Sequence, residues 1–335
     1  MTAPASPATL VLSRRDIALL MEPSAYLDAV ESGFRAAHAG RAISPPPMAI
    51  EGISGAFHAK GARIDLDRPL VALKLNGNFP GNPTARHLPT IQGAVLLCCA
   101  ESGALLAIMD SIEVTLRRTA AASALAARFL ARSDSSRILI CGCGEQGAAH
   151  LAALREVLPL DRVFAWDRDE GRARAFADAH SDNGLSVRAV TDLTEAAAQS
   201  DVIVTCTTAR VPFLGSSLVA PGTFIAAVGA DSPDKSEIAP ELMRRALVVA
   251  DVLDQCAVMG DLHHALRAGA MEREDVHVEL AQLVAGEKPG RTSPEQITLF
   301  DSTGTALQDV AAAAEIFARA SVQRCGTSVA LGRLS

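Results

Sequence analysis

The chain has 335 residues, 49% of them apolar and 21% charged, which is long for one domain and ample for two with proper cores. Aromatic residues make up only 4%, and the net charge of −7 comes with Lys and Arg scattered along the chain, which excludes stacking platforms for single strands and basic footprints for DNA, RNA or an anionic membrane. No run approaches the roughly 18 apolar residues that span a bilayer. The seven cysteines include no CxxC and no Cys/His cluster at zinc spacing. The expectation is reduced thiols, no metal, and a cytoplasmic protein without a secretory leader.

In chain order, SRRDIALLMEPSAYLDAVESGFRAAHAG predicts two helices, started by Ser13 and by Glu22-Pro23 and stopped at Gly40. ISPPPMAI cannot be helical, because its prolines remove donors and clash. GAFHAKG, PLVALKLN, IQGAVLLCCA and GALLAIMD read as strands of an antiparallel or mixed sheet. Between two of them NGNFPGNPTARHLPT reads as a long polar loop. SIEVTLRRTAAASALAARFLARS has neither Gly nor Pro and predicts one long helix.

Beyond it the pattern changes. RILICG, DRVFAWD, SVRAVT, DVIVTC, TFIAAVG and LVVADV are short β-rich strings, most of them separated by helical segments. Strands that alternate with helices and are apolar throughout imply a parallel sheet covered on both faces. In ITLFDSTGTALQDVAAAAEIFARAS a strand meets a turn and then a helix too late to be another crossover. That helix is expected to return to the N-terminal domain. The expected division is a substrate and dimerisation domain over 1–119, completed by 309–335, and a dinucleotide-binding domain over 120–308.

RILICGCGEQGAAH places Gly142, Gly144 and Gly147 in G-x-G-x-x-G spacing, between a strand string and a helix. The first glycine permits a tight turn, the second lets backbone approach a pyrophosphate, and the third allows close helix–strand packing. Glu145 and Gln146 fall in the same loop, whose helix N-terminus offers free N–H groups to phosphate. DRVFAWD ends in Asp167, 25 residues after Gly142, where an acid can accept from the adenosine ribose. A carboxylate repels a 2′-phosphate, so NAD(H) is favoured. Arg168 beside it keeps NADP(H) as the alternative. Thr207 and Thr208, after DVIVTC, Val228 and Gly229, after TFIAA, and Ser302, Thr303 and Gly304, after TLFD, fall at the carboxyl edge of the expected sheet. They are candidate cofactor contacts.

Taken together, ALKLNGNFPGN, LPTIQGAVLL, SGALLAIMD, LRRTAAASALAA, the glycine loop, AAVGADSPDKSEI and TLFDSTGTALQD resemble, in order and spacing, the ornithine cyclodeaminase/μ-crystallin family. The likeness covers nearly the whole chain. It implies an α/β fold in which a Rossmann-type domain is inserted into an α+β substrate domain, paired across a homodimer. It implies hydride movement between a nicotinamide and the Cα of an amino or imino acid. By the same resemblance Lys74 contacts the substrate carboxylate and imine, and Asp231 handles the proton. Arg118 grips the carboxylate, Thr119 lies near the cofactor, and Gln92 lies by the substrate or nicotinamide.

One departure bears on the substrate. Where the family often carries an arginine after the early proline segment, this chain has Pro47 and Met48. The acid that serves a distal amine in ornithine-specific members falls near His58, with Lys60 two residues on and on the same strand face. This argues against a free diamine and for a neutral or acidic amino acid or an imine. Lys60 is expected to join Lys74 and Arg118 around the substrate's anionic group. Two rivals stand beside the oxidoreductase: a cyclodeaminase with no net redox, and a non-catalytic protein that binds ligand and keeps the cofactor.

Overall fold

A computed structural model describes residues 8–182 and 184–331. Part of the stretch behind the no-leader expectation, residues 1–7, lies outside the described residues, as does the end of the expected second substrate segment, 332–335. The chain divides into two compact units, 1–118 with 305–335, and 119–304. Among the described residues no helix is long and apolar enough to cross a membrane.

The first unit carries a mixed sheet. Its strands run in the order Thr327–Val329, Thr9–Leu12, Leu105–Asp110, Ile91–Cys99, Pro69–Asn78, Ala56–Asp65 and Ala42–Ile43, and Met48–Glu51 also pairs with Ala56–Asp65. Helices Arg14–Leu20 and Pro23–His38 start where the sequence signals lie. Ser13 forms a capping box with Asp16, and Glu22 precedes a proline at the first helical position. Helix Ala306–Gln323 is alanine-rich, so it can lie close to its neighbours; a Cβ built on Gly33 would come 3.0 Å from that of Ala311. It covers the sheet face made by Ala62, Ile64, Leu70, Ala72, Val95 and Leu97, all buried. The expected long loop holds a short helix, Asn82–Arg86. Pro83 suits its first turn, and Leu88 N–H and Asn82 Nδ2 tie its ends back.

The second unit is a parallel sheet in the order Ser186–Ala189, Arg162–Trp166, Arg137–Cys141, Val202–Thr205, Phe224–Ala227, Thr298–Asp301, Leu247–Ala250 and Val278–Glu279. The central strands are buried along their whole length, as a sheet covered on both faces requires. Strand order reverses between Arg137–Cys141 and Val202–Thr205, and the crevice at such a reversal is where α/β sheets take ligands.

Candidate functional site

In the second unit the glycine loop leaves strand Arg137–Cys141 and enters helix Glu145–Arg155. Gly142 has φ +108°, and a Cβ there would stand 2.8 Å from the Cys206 carbonyl oxygen. A Cβ on Gly147 would stand 2.4 Å from the Gly142 carbonyl oxygen. By contrast, a Cβ on Gly144 would meet only the Arg172 guanidinium, at 3.3 Å. Two glycines are therefore demanded by the turn, while the third leaves its backbone open. Gly144 offers no side-chain cap to the helix start, the end of a helix whose backbone N–H groups and dipole suit an anion. Gln146 Oε1 is buried without a partner. The open Gly144 backbone and the helix start fit a dinucleotide's pyrophosphate.

The loop borders a cavity of about 620 Å³, also lined by Trp166, Asp167, Arg168, Arg172, Thr207, Thr208 and Phe213. Asp167 accepts from the backbone N–H of Cys143 at 2.9 Å and of Asp169 at 3.0 Å, so it braces the loop as well as lining the cavity. Trp166 and Phe213 stack at 5.3 Å between ring centroids and give the cavity an apolar wall.

The other expected cofactor residues lie elsewhere in the unit. Gly229 donates its N–H to Glu237, and Val228 before it is buried. Thr119 is buried on helix Ser111–Leu130. Ser302, Thr303 and Gly304 form a buried turn folded onto Asp251, whose Oδ2 accepts from Thr303 N at 2.8 Å and Gly304 N at 2.7 Å. Asp231 is exposed and pairs with Lys235 at 2.6 Å. His150 is an internal brace between Gln146 O and Ser123 Oγ, with burial driving its pKa down to about 4.

The first unit contains a buried charge cluster. Lys60 and Lys74 are direct cross-strand partners, so both point to the face covered by helix Ala306–Gln323. Lys74 donates to Asp309 Oδ1 at 3.0 Å and to Thr115 Oγ1 at 3.2 Å. Its Nζ also lies 2.8 Å from Asp309 Oδ2, close enough to pair but not aligned as a hydrogen bond, which leaves Oδ2 without a donor. Arg118 donates from Nε to Asp309 Oδ1 at 2.9 Å and from Nη1 to Gln308 Oε1 at 2.6 Å. Lys74, Arg118 and Asp309 are 5%, 4% and 1% exposed.

Burial drives the Lys74 ammonium down to about 7; Asp309 works against that, and Arg118 and Lys60 add to it. Burial would raise the Asp309 carboxyl, but Arg118 and Lys74 outweigh it and hold the group below its ordinary value. An ionised acid thus sits between two buried cations, one of them near its titration point. Gln308 Nε2 is buried without a partner, which leaves a donor for a second anion.

Two expected substrate residues are not brought to this cluster. Gln92 stands opposite Gly77, and alternation puts both on the sheet face away from Lys74 and its partner Val95. His58 shares the parity of Lys60 but is exposed, opposite Asn76. Arg117 turns away from Arg118 and donates to Glu113 at 2.8 Å. Sequence reasoning missed Gln308, Asp309, Arg172, Glu237 and Asp251. The signal for the first two was a Gln-Asp pair in the first turn of a helix, followed by the apolar run over residues 310–314.

The ornithine cyclodeaminase/mu-crystallin family model matches residues 8–324. An alanine dehydrogenase of Archaeoglobus fulgidus is 37% identical over 326 residues, 97% of this chain and 99% of the relative. Among solved structures, an archaeal alanine dehydrogenase dimer with bound NAD superposes with a TM-score of 0.91 at 37% identity, over 96% of this chain and 98% of the other. The Thermococcus litoralis Δ1-pyrroline-2-carboxylate reductase, in complex with NADH and L-proline, gives 0.92 at 31% identity, over 96% and 100%. The chain belongs to the ornithine cyclodeaminase/mu-crystallin family.

Proposed function

We propose that this member of the family is an NAD(H)-dependent oxidoreductase acting on the Cα–N bond of an amino acid or imino acid. The observation that carries the substrate side of this reading is the buried Lys74–Asp309–Arg118 cluster. It has two cations to one acid and keeps the Gln308 amide N–H to spare. An amino-acid carboxylate supplies the missing negative charge, and Arg118 meets it with a planar fork. Lys60, on the same face as Lys74, adds a further positive charge where the family's first arginine is absent.

The cofactor, when bound, supplies or takes the hydride. Gly142, Gly144 and Gly147 shape its phosphate cradle, with Glu145 and Gln146 at the helix start, and Asp167 stands where the adenosine ribose is read, beside Arg168. Lys74, poised near neutrality, can hold or release a proton. The proton at nitrogen is read as Asp231's, the residue that matches the family's acid. Its exposed carboxylate is accessible for that role and pairs with Lys235 at 2.6 Å.

The test is a panel of amino acids with NAD and of α-keto acids plus amines with NADH, followed at the nicotinamide absorbance. Net NADH formation or consumption with at least one substrate is expected. Turnover of an amino acid with no net NADH change would make the protein a cyclodeaminase, and NADH binding without any turnover would make it a binding protein.

The chain is also proposed to work as a homodimer. Leu73 and Leu75 are 44% and 45% exposed, and Met48, Ile50 and Phe57 are exposed beside them on the same sheet. Such a patch marks an interface. Light scattering at twice the 34.9 kDa chain mass would support this, and a monomer would end it. The seven cysteines are all free, which supports placement in the reducing cytoplasm.

A further inference from the structure

Glu237 is 0% exposed, and no cation pairs with it among the described residues. Its carboxylate draws in three donors from two loops. Oε1 accepts from Thr207 N at 2.6 Å and from Thr207 Oγ1 at 2.7 Å, and Oε2 accepts from Gly229 N at 2.8 Å. Thr207 follows strand Val202–Thr205 and Gly229 follows its parallel neighbour Phe224–Ala227, so the side chain clips two successive loops at the carboxyl edge of the sheet. The fit admits no alternative at one end: a Cβ on Gly229 would fall 2.5 Å from the carboxylate. The main chain of Glu237 ties a third piece, because its carbonyl accepts from Phe213 N and Leu214 N at 3.0 and 3.1 Å. Thr207 and Phe213 both line the cavity beside the glycine loop, and Glu237 itself does not.

A buried carboxylate without a cation is costly and persists where something depends on its geometry. We propose that Glu237 is a positioning residue for the dinucleotide: its ionised carboxylate sets the cavity wall, so that cofactor affinity falls when that carboxylate is neutralised. The inference rests on the cofactor reading above.

The reason is the charge on the acceptor. All three contacts are charge-assisted, and a proton on either oxygen removes that charge and takes up accepting capacity, so the Thr207 and Gly229 contacts weaken. Burial, and then the charge of Asp261, push the Glu237 carboxyl up to about 7, which puts this change within a measurable range. The groups facing it are few. Asp261 accepts from Glu237 N and is itself raised to about 6 by burial, and Asp301 lies beyond it. Across the sheet the thiols of Cys141 and Cys206 are pushed well up by burial and stay neutral.

The experiment is a fluorescence titration of the full chain with NADH at several pH values. Wild-type affinity should weaken as pH falls from about 8 to about 6, the range through which the carboxylate gains its proton. Glu237→Gln presents an amide N–H where an acceptor is needed, and so imitates the protonated state at every pH. It should bind NADH roughly 10-fold more weakly at the upper pH, the usual effect of losing one charge-assisted hydrogen bond, and show no pH slope. Glu237→Asp should keep the slope. A Glu237→Gln variant within twofold of wild type, or with the wild-type slope, would overturn the inference. If that variant does not fold, the wild type alone decides, since a flat NADH affinity over the same range also overturns it. A wild type that binds NADH at no pH sinks the cofactor reading instead.

Discussion

Replacing Asp309 by Asn tests whether the buried cluster is an anion cradle or only packing. The amide keeps the shape, so Arg118 Nε and one Lys74 bond can still find an oxygen. The amide nitrogen then stands where Oδ2 lies 2.8 Å from the Lys74 ammonium, donor against donor. At about 3 Å and an effective dielectric near 20, each lost charge pair is worth on the order of 5 kcal/mol before reorganisation. Breaking one side of a buried ion pair typically costs about 3–5 kcal/mol. Lys74 limits that cost, because with its ammonium already near neutrality at about 7 it can shed its proton once the acid is gone. Two readouts follow. KM for the amino or imino acid should rise roughly 10-fold or more, since a neutral lysine no longer attracts a carboxylate. The limb of the kcat/KM profile that reports Lys74 should move to lower pH. NADH affinity should stay put, because Asp309 has no part in the glycine-loop cavity. A variant with KM within twofold of wild type and an unmoved limb would refute the cradle. The wild type carries a linked stability signature: the folded chain releases the Lys74 proton near 7 and the unfolded chain near 10.5. Between those values the unfolded state binds more protons, so this group's contribution to stability rises with pH.

Three further outcomes are expected. Lys60→Ala should raise KM by roughly 10-fold with a smaller loss in kcat, and an unchanged KM for the best substrate would return Lys60 to a structural role. Asp167→Ser should relax preference toward NADP(H) by on the order of 1–3 kcal/mol, the size of one close unfavourable charge contact. It should also weaken NADH, because Cys143 N–H loses its acceptor; a wild type that already prefers NADP(H) would make Arg168 and Arg172 the determinants. Asp231→Asn should cut turnover by roughly 10²–10⁴ with cofactor affinity barely changed, and near-normal turnover would remove Asp231 from the chemistry.

The parallel sheet and its glycine loop were legible because each rests on a local rule. Strands such as VIVT and FIAA carry their burial in composition, and the three glycines carry theirs in spacing. The structure gives Gly142 and Gly147 backbone contacts that no side chain could share. The short helix Asn82–Arg86 was missed because Gly, Pro and Asn dominate its surroundings, and turn composition outvoted a five-residue element. In sequence Thr9–Leu12 is no more than a brief apolar run. Its strand character comes from pairing with Leu105–Asp110 and Thr327–Val329, nearly a hundred and more than three hundred residues away.

The hidden half of the site is acidic, and it was hidden for a physical reason. A basic residue in an apolar strand, such as Lys74, is conspicuous in sequence because nothing local explains it. Asp309 is not, because the first turn of a helix is where an acid is expected to complement the dipole. Glu237 is equally ordinary between a turn and Pro240. Only tertiary placement shows that neither acid reaches water, and that each holds donors that come from other elements of its own unit. Lys74 and Arg118 can be read as substrate residues without Asp309, but a buried pair of cations cannot persist without a counter-charge. Whether an anion finds a fixed fork or a loose one is therefore set by the residue the sequence disguises.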